Sequence, residues 1–198
     1  MKKENALDAA KKIMEKDNTY QLNDLDIEYE NKSLRVLSGE ILNKIADNFP
    51  LLIGGSADLS SSCKTNLEKF KPFLSDDYSG RNIYFGIREH AMGAILNGMA
   101  LAGLRPFGST FLAFSDYMKP AIRMSSMMNL PVLYIFTHDS ITVGEDGPAH
   151  HPIEQLASLE LIPNLKVYRP YDLNELIGSY MEIMKEESPS ALVLPRDN

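Results

Sequence analysis

From residue 33 onward the chain alternates short apolar runs with longer segments of helical periodicity, and this pattern constrains its fold more than any other feature. Residues 51–56 ("LLIGGS"), 83–85, 106–109, 132–137, 166–168 and 191–194 read as strands. Leu34, Leu37, Ile41, Leu42 and Ile45 recur at helical spacing, and residues 89–101, 115–128, 152–159 and 173–185 carry similar patterns. A further short helix is expected at 66–73, and Asp172 followed by Glu175 predicts a capping box for the last helix. Such alternation predicts an α/β fold, a mostly parallel sheet with helices on both faces. In these sheets, ligands bind outside the carboxyl ends of the strands. The loops to read are therefore "GGSADLSSS" (54–62), "GIREH" (86–90), "GSTFLAFSDY" (108–117) and "THDSITVGEDGPAHH" (137–151).

At 198 residues the chain suits one domain with an arm: 1–31 an N-terminal arm or linker, 32–198 the domain. Within the arm, residues 6–14 carry a short amphipathic pattern. The net charge of −7, with no basic stripe, argues against a nucleic-acid surface. No apolar run approaches the roughly 20 residues of a membrane span, and the N-terminus has no apolar core of a secretory signal. Cys63 is the single cysteine, which permits no internal disulfide and fits a reducing compartment. The expected location is cytoplasmic.

Glu89 stands at a strand-to-helix junction between Arg88 and His90. Two readings are open. It is a helix-start charge, favoured by the dipole and paired with Arg88, or a buried carboxylate that shares a proton with a ligand nitrogen. Phe111, Phe114 and Tyr117 fall three apart, interrupted by Ser115 and Asp116. They form either a core stripe or the lining of a semi-polar pocket for a planar ring. The 137–151 loop holds His138, Asp139, Glu145, Asp146, His150 and His151. A solvated loop, a substrate pocket and a metal site all remain open, although the spacing suits a metal poorly and no cysteine assists. The Gly/Ser loop lacks the spacing and lysine of a phosphate-binding P-loop. Arg35 and Arg196 are surface arginines or phosphate contacts, for which a planar fork is suited.

The strings "GIREHAMGAILNGMAL", "GGSADLSSS" and "STFLAFSDYMKPAIRMSSMMNLPVLYIFTHDSITVGEDGPAHHPIEQLASL" strongly resemble transketolase, over roughly residues 34–198. The likeness is to the central, pyrimidine-binding domain. It implies two-carbon ketol transfer from a ketose phosphate to an aldose phosphate, with thiamin diphosphate and a divalent cation (Mg2+ or Ca2+). By the resemblance, Glu89 matches the glutamate that bonds N1′ of the aminopyrimidine and favours its imino tautomer. Phe111, Phe114 and Tyr117 match the aromatic pocket around that ring, and Asp58 an acid near the cofactor at the subunit boundary. His138 and His150 match histidines that contact the substrate carbonyl and hydroxyls. Asp146 matches an aspartate that reads a hydroxyl, and Arg35, Ser62 and Arg196 match sugar-phosphate contacts.

Two departures stand out. Ala149 replaces the threonine usual before the matched histidine. The family's diphosphate- and metal-holding domain, with its "GDG…N" motif, has no counterpart here, "EDG" in the 137–151 loop being the only similar string, and its C-terminal domain is absent as well. The resemblance therefore implies a domain inactive alone, a missing diphosphate-binding partner and a homodimer. The β chain of a 2-oxo acid dehydrogenase or a deoxyxylulose phosphate synthase would usually carry "GIAEQ" in place of "GIREH". Dihydroxyacetone synthase, a degenerate interaction module and a metal hydrolase on His138, Asp146 and His150 are the remaining alternatives.

Overall fold

The structure is a computed structural model that describes residues 32–197, apart from the side chain of Thr142. The expected arm at 1–31, with its helical pattern at 6–14, lies outside the described residues. The chain order is α1 (Leu34–Asn48), β1 (Leu52–Ser56), α2 (Ser60–Cys63), β2 (Asn82–Tyr84), α3 (Glu89–Leu101), β3 (Arg105–Phe111) and α4 (Lys119–Met127). It continues with β4 (Leu133–Thr137), α5 (Gln155–Glu160), β5 (Lys166–Tyr168), α6 (Leu173–Lys185) and β6 (Ser190–Val193). A 3₁₀ turn, Leu112–Tyr117, joins β3 to α4, and two more, Ile141–Asp146 and Pro148–His150, follow β4.

The six strands form one all-parallel sheet in the order β2-β1-β3-β4-β6-β5, which is the α/β fold the alternation predicts. Parallel sheets are covered on both faces, so central strands read as continuous apolar runs. β4 is buried along its whole length. Its alternate residues feed two separate cores, as the two-residue period of a strand requires. Leu133 and Ile135 join Leu37, Ile41 and Ile45 of α1 and Leu176, Tyr180 and Ile183 of α6. Tyr134 and Phe136 join Met92 and Leu96 of α3, Ile122 of α4 and Leu159 of α5. Helices thus cover both faces. Gly54 lies within β1, where a Cβ would meet the Phe107 carbonyl of β3 at 1.9 Å, so only glycine permits this approach.

β2 lies on one side of β1 and β3 on the other, so the connection changes side at β1, the type of position where open α/β sheets bind ligands. Three local expectations are corrected. Residues 66–73 are not helical; the Asn82 amide holds them, accepting from Leu67 N and donating to Leu67 O and Phe70 O, and helix forms instead at Ser60–Cys63. The helix expected at 115–128 starts as the 3₁₀ turn, and α4 begins at Lys119 with Pro120 in its first turn, where a missing N–H costs nothing. At α6, Asp172 Oδ1 accepts from Glu175 N at 2.9 Å as predicted, but Glu175 Oε2 accepts from Tyr171 N at 2.8 Å, one residue before the cap.

Candidate functional site

The carboxyl ends of β1, β2, β3, β4 and β6 deliver the unusual residues to one edge of the sheet. Arg35, in the first turn of α1, donates through Nε to Arg196 O at 2.7 Å and through Nη1 to Ser62 O at 2.6 Å. Arg196, just past β6, donates through Nη1 to Val143 O at 2.6 Å in the loop after β4. Its Nη2 lies 3.8 Å from Glu145 Oε1. Arg35, Ser62 and Arg196 are 161 residues apart at the extremes and meet here, Arg35 bonding to the backbone carbonyls of the other two. Arg35 is held here by backbone carbonyls alone, whereas Arg196 also lies 3.9 Å from Asp197 Oδ1; guanidinium groups so placed suit an anion.

β2 hands over to α3 through Gly86, at φ +68, whose carbonyl accepts from Arg88 N at 2.7 Å. Arg88 then folds back, and its Nη1 donates to Phe85 O at 3.0 Å. This disposes of the helix-start ion pair: Arg88 is occupied elsewhere. Glu89 is 8% exposed and has no hydrogen-bond or ion-pair partner among the described residues. Its oxygens are not among the fully buried unpaired atoms, so they still reach solvent, and the start of α3 supports their charge.

Around the end of β3, Phe111 and Phe114 stack with centroids 5.7 Å apart, and Tyr117 follows at 6.2 Å from Phe114. The core-stripe reading fails for Tyr117, which is exposed. Both singled-out histidines join the same cluster. His138 lies on Phe111 at 3.7 Å between ring centroids, and His150 meets Phe114 edge-on at 5.1 Å. His138 adopts a left-handed backbone, φ +60, and its Nδ1 is 2.9 Å from Thr137 Oγ1. Burial first, then the charges of Arg35 and Arg196 against those of Asp146 and Asp197, push its pKa down to about 4, so the ring is neutral near pH 7. His150 buries Nδ1 with no partner. Thr110 Oγ1 and Ser115 Oγ are also buried and unpaired beside the aromatic residues.

Asp58 and Asp146 are exposed, and neither bonds to the cluster. Sequence reasoning missed Thr137 and Val143: a threonine beside a histidine or a carbonyl that seats an arginine leaves no motif. Among the described residues, no three His, Cys, Asp or Glu side chains gather as metal ligands. No described helix is long and apolar enough to cross a membrane.

Residues 30–198 match the family described as transketolase, pyrimidine binding domain. The chain belongs to that family. Transketolases from Halalkalibacterium halodurans and Bacillus subtilis are 57% and 55% identical to it over 166 residues, 83% of this chain. The chain spans 25% of the length of each. Among solved structures, transketolase from Campylobacter jejuni superposes with a TM-score of 0.87 at 41% identity, over 96% of this chain and 30% of that one. A Pichia stipitis transketolase complex with sedoheptulose-7-phosphate gives 0.83 at 43% identity, over 85% and 26%. A split-gene transketolase, solved as an inactive β4 tetramer, gives 0.68 at 27% identity, over 84% and 52%.

Proposed function

We propose that this domain is the pyrimidine-holding half of a transketolase active site, serving ketol transfer from a ketose phosphate to an aldose phosphate with thiamin diphosphate. The observation that carries this is Glu89: a largely enclosed residue whose carboxylate has no partner among the described residues, at the start of α3, which packs against β3 and the 3₁₀ turn of the aromatic cluster. Its missing partner fits a protonated ring nitrogen, so the residues present fit the aminopyrimidine end of the cofactor. When bound, thiamin diphosphate supplies the electron sink for the two-carbon transfer.

Each side chain then has a definable task. Glu89 holds a proton at the ring nitrogen, its charge sharpened by a low-dielectric setting. Phe111, Phe114 and Tyr117 clamp a flat ring and exclude water. His138, kept neutral, offers one ring nitrogen to a substrate oxygen and can donate or accept according to tautomer. His150, against Phe114, and Asp146 come from the same Gly-punctuated loop, where they read hydroxyls. Arg35, Ser62 and Arg196 hold the sugar phosphate, and Asp58 belongs near the cofactor at a subunit boundary. Sugar phosphates bound by Pichia stipitis transketolase support that substrate class.

We take residues 32–198 as this domain and 1–31 as an arm outside it. The diphosphate and its divalent cation (Mg2+ or Ca2+) would be held by a separate domain. The match covers only 25% of each relative, which supports this, as does a split-gene transketolase solved as an inactive β4 tetramer. The reaction is placed in the cytoplasm. The test is ketol transfer between xylulose 5-phosphate and ribose 5-phosphate with thiamin diphosphate and magnesium. The 198-residue chain alone should show none, and addition of a diphosphate-binding domain should create it. Turnover by the purified chain alone would refute this reading.

A further inference from the structure

Asp139 follows His138 directly, and its side chain is only 4% exposed. Its charge partner is Arg169 at the end of β5, whose Nε donates to Asp139 Oδ2 at 2.7 Å. In the sheet, β4 and β5 are not neighbours: β6 lies between them. The pair therefore closes over two strand spacings, roughly 10 Å, and spans the carboxyl end of β6. There Leu194 N still bonds to Phe136 O at 2.8 Å, and the chain runs on to Arg196.

The residue this bridge flanks is under backbone strain. A left-handed φ of +60 is uncommon for a non-glycine residue, although histidine tolerates it better than most, and it is held in place by its surroundings. Thr137 holds the His138 ring from one side and Phe111 stacks on its face. Neither contact fixes the backbone beyond His138; Asp139 does, because its buried carboxylate is tied to a guanidinium on another strand. An ordinary surface pair contributes little, but here the carboxylate end is out of water, so its geometry is dictated by its partner.

We propose that Arg169 is a positioning residue: by holding Asp139 across β6 it imposes the left-handed backbone at His138, and so sets the His138 ring over Phe111. This rests on the ketol-transfer reading, in which His138 and Arg196 meet the sugar phosphate. It adds a residue outside the substrate contacts to that site's geometry.

The test needs neither cofactor nor sugar, so its failure is distinguishable from failure of the ketol-transfer reading. The 198-residue chain is prepared with 15N-labelled histidine, and His138 is titrated by NMR in wild type, Arg169→Gln, Asp139→Asn, the double variant Asp139→Asn/Arg169→Gln and Arg169→Lys. If the pair positions His138, every variant that breaks it lets water reach the ring. The titration midpoint should then rise from about 4 toward the ordinary imidazole value near 6.5. It should do so in both single variants and in the double variant, with loss of the ring-current shift from Phe111. Arg169→Lys, which keeps the charge and one donor, should return the midpoint at least halfway. A purely electrostatic pair predicts opposite shifts in the two single variants and a wild-type midpoint in the double one; that outcome overturns the proposal. So does a lower unfolding temperature with an unmoved His138 midpoint, which would make the pair a structural tie only. Should a single variant fail to fold, the double variant, which leaves no unpaired buried charge, decides.

Discussion

Replacing Arg35 with leucine removes one guanidinium and keeps most of the stem. That guanidinium ties α1 to α2 through Ser62 O and to the segment after β6 through Arg196 O. Hydrogen bonds to charged groups contribute about 1.5–3 kcal/mol each. Both of these are partly buried, so water can replace some of what is lost, and the lower end of that range applies to each. The sum is about 3 kcal/mol, which for a domain of this size lowers the unfolding temperature by roughly 6–12 °C. A second effect follows from charge. After burial, Arg35 is the largest influence that lowers the His138 pKa, so its loss raises the His138 midpoint from about 4. Urea unfolding measures the first, with an unchanged slope as the control that only stability moved; histidine NMR measures the second. An unchanged urea midpoint together with an unchanged His138 titration would refute the reasoning, because Arg35 would then be neither holding the two carbonyls nor facing the histidine.

The neutral His138 also makes stability depend on pH. Its folded pKa near 4 lies below the ordinary 6.5. Between those values the unfolded chain takes up a proton that the folded chain refuses, so stability falls as pH drops through this window. The full loss amounts to about 3 kcal/mol below pH 4; thermal melts of wild type and His138→Asn should differ in slope there, and parallel curves would contradict it. Tyr84, Ile87, Leu101 and Met127 are exposed, and apolar side chains that face water favour self-association where they lie together. We expect a homodimer by light scattering, and a monomer at high concentration would count against it.

Much of the architecture was readable because parallel strands buried on both faces leave unmistakable apolar runs, as in "VLYIFT", and because α3 and α6 have full amphipathic periods between clear boundaries. The 66–73 segment was misread because its structure is imposed by one distant side chain, Asn82, and not by its own periodicity. At the site, residue types announced themselves: a carboxylate after a strand, spaced aromatics, a loop crowded with histidines. The contacts between them did not, since Arg35 reaching Arg196 and Arg169 reaching Asp139 depend on strand order. That Arg88 is not an ion-pair partner of Glu89 shows only in the structure, where Arg88 turns back to Phe85.

The claim that Glu89 serves a ligand nitrogen and not the helix start is tested most directly by Glu89→Gln in the enzyme assembled with its diphosphate-binding domain. The substitution keeps volume and loses the charge. The measurement is the rate of hydrogen–deuterium exchange at C2 of bound thiamin diphosphate. A positioned proton-transfer group typically contributes about 10²–10⁴-fold, and the variant should exchange more slowly by that order while still binding the cofactor. Equal exchange rates in wild type and variant would show that Glu89 is only a charge at the start of α3, and would contradict the account.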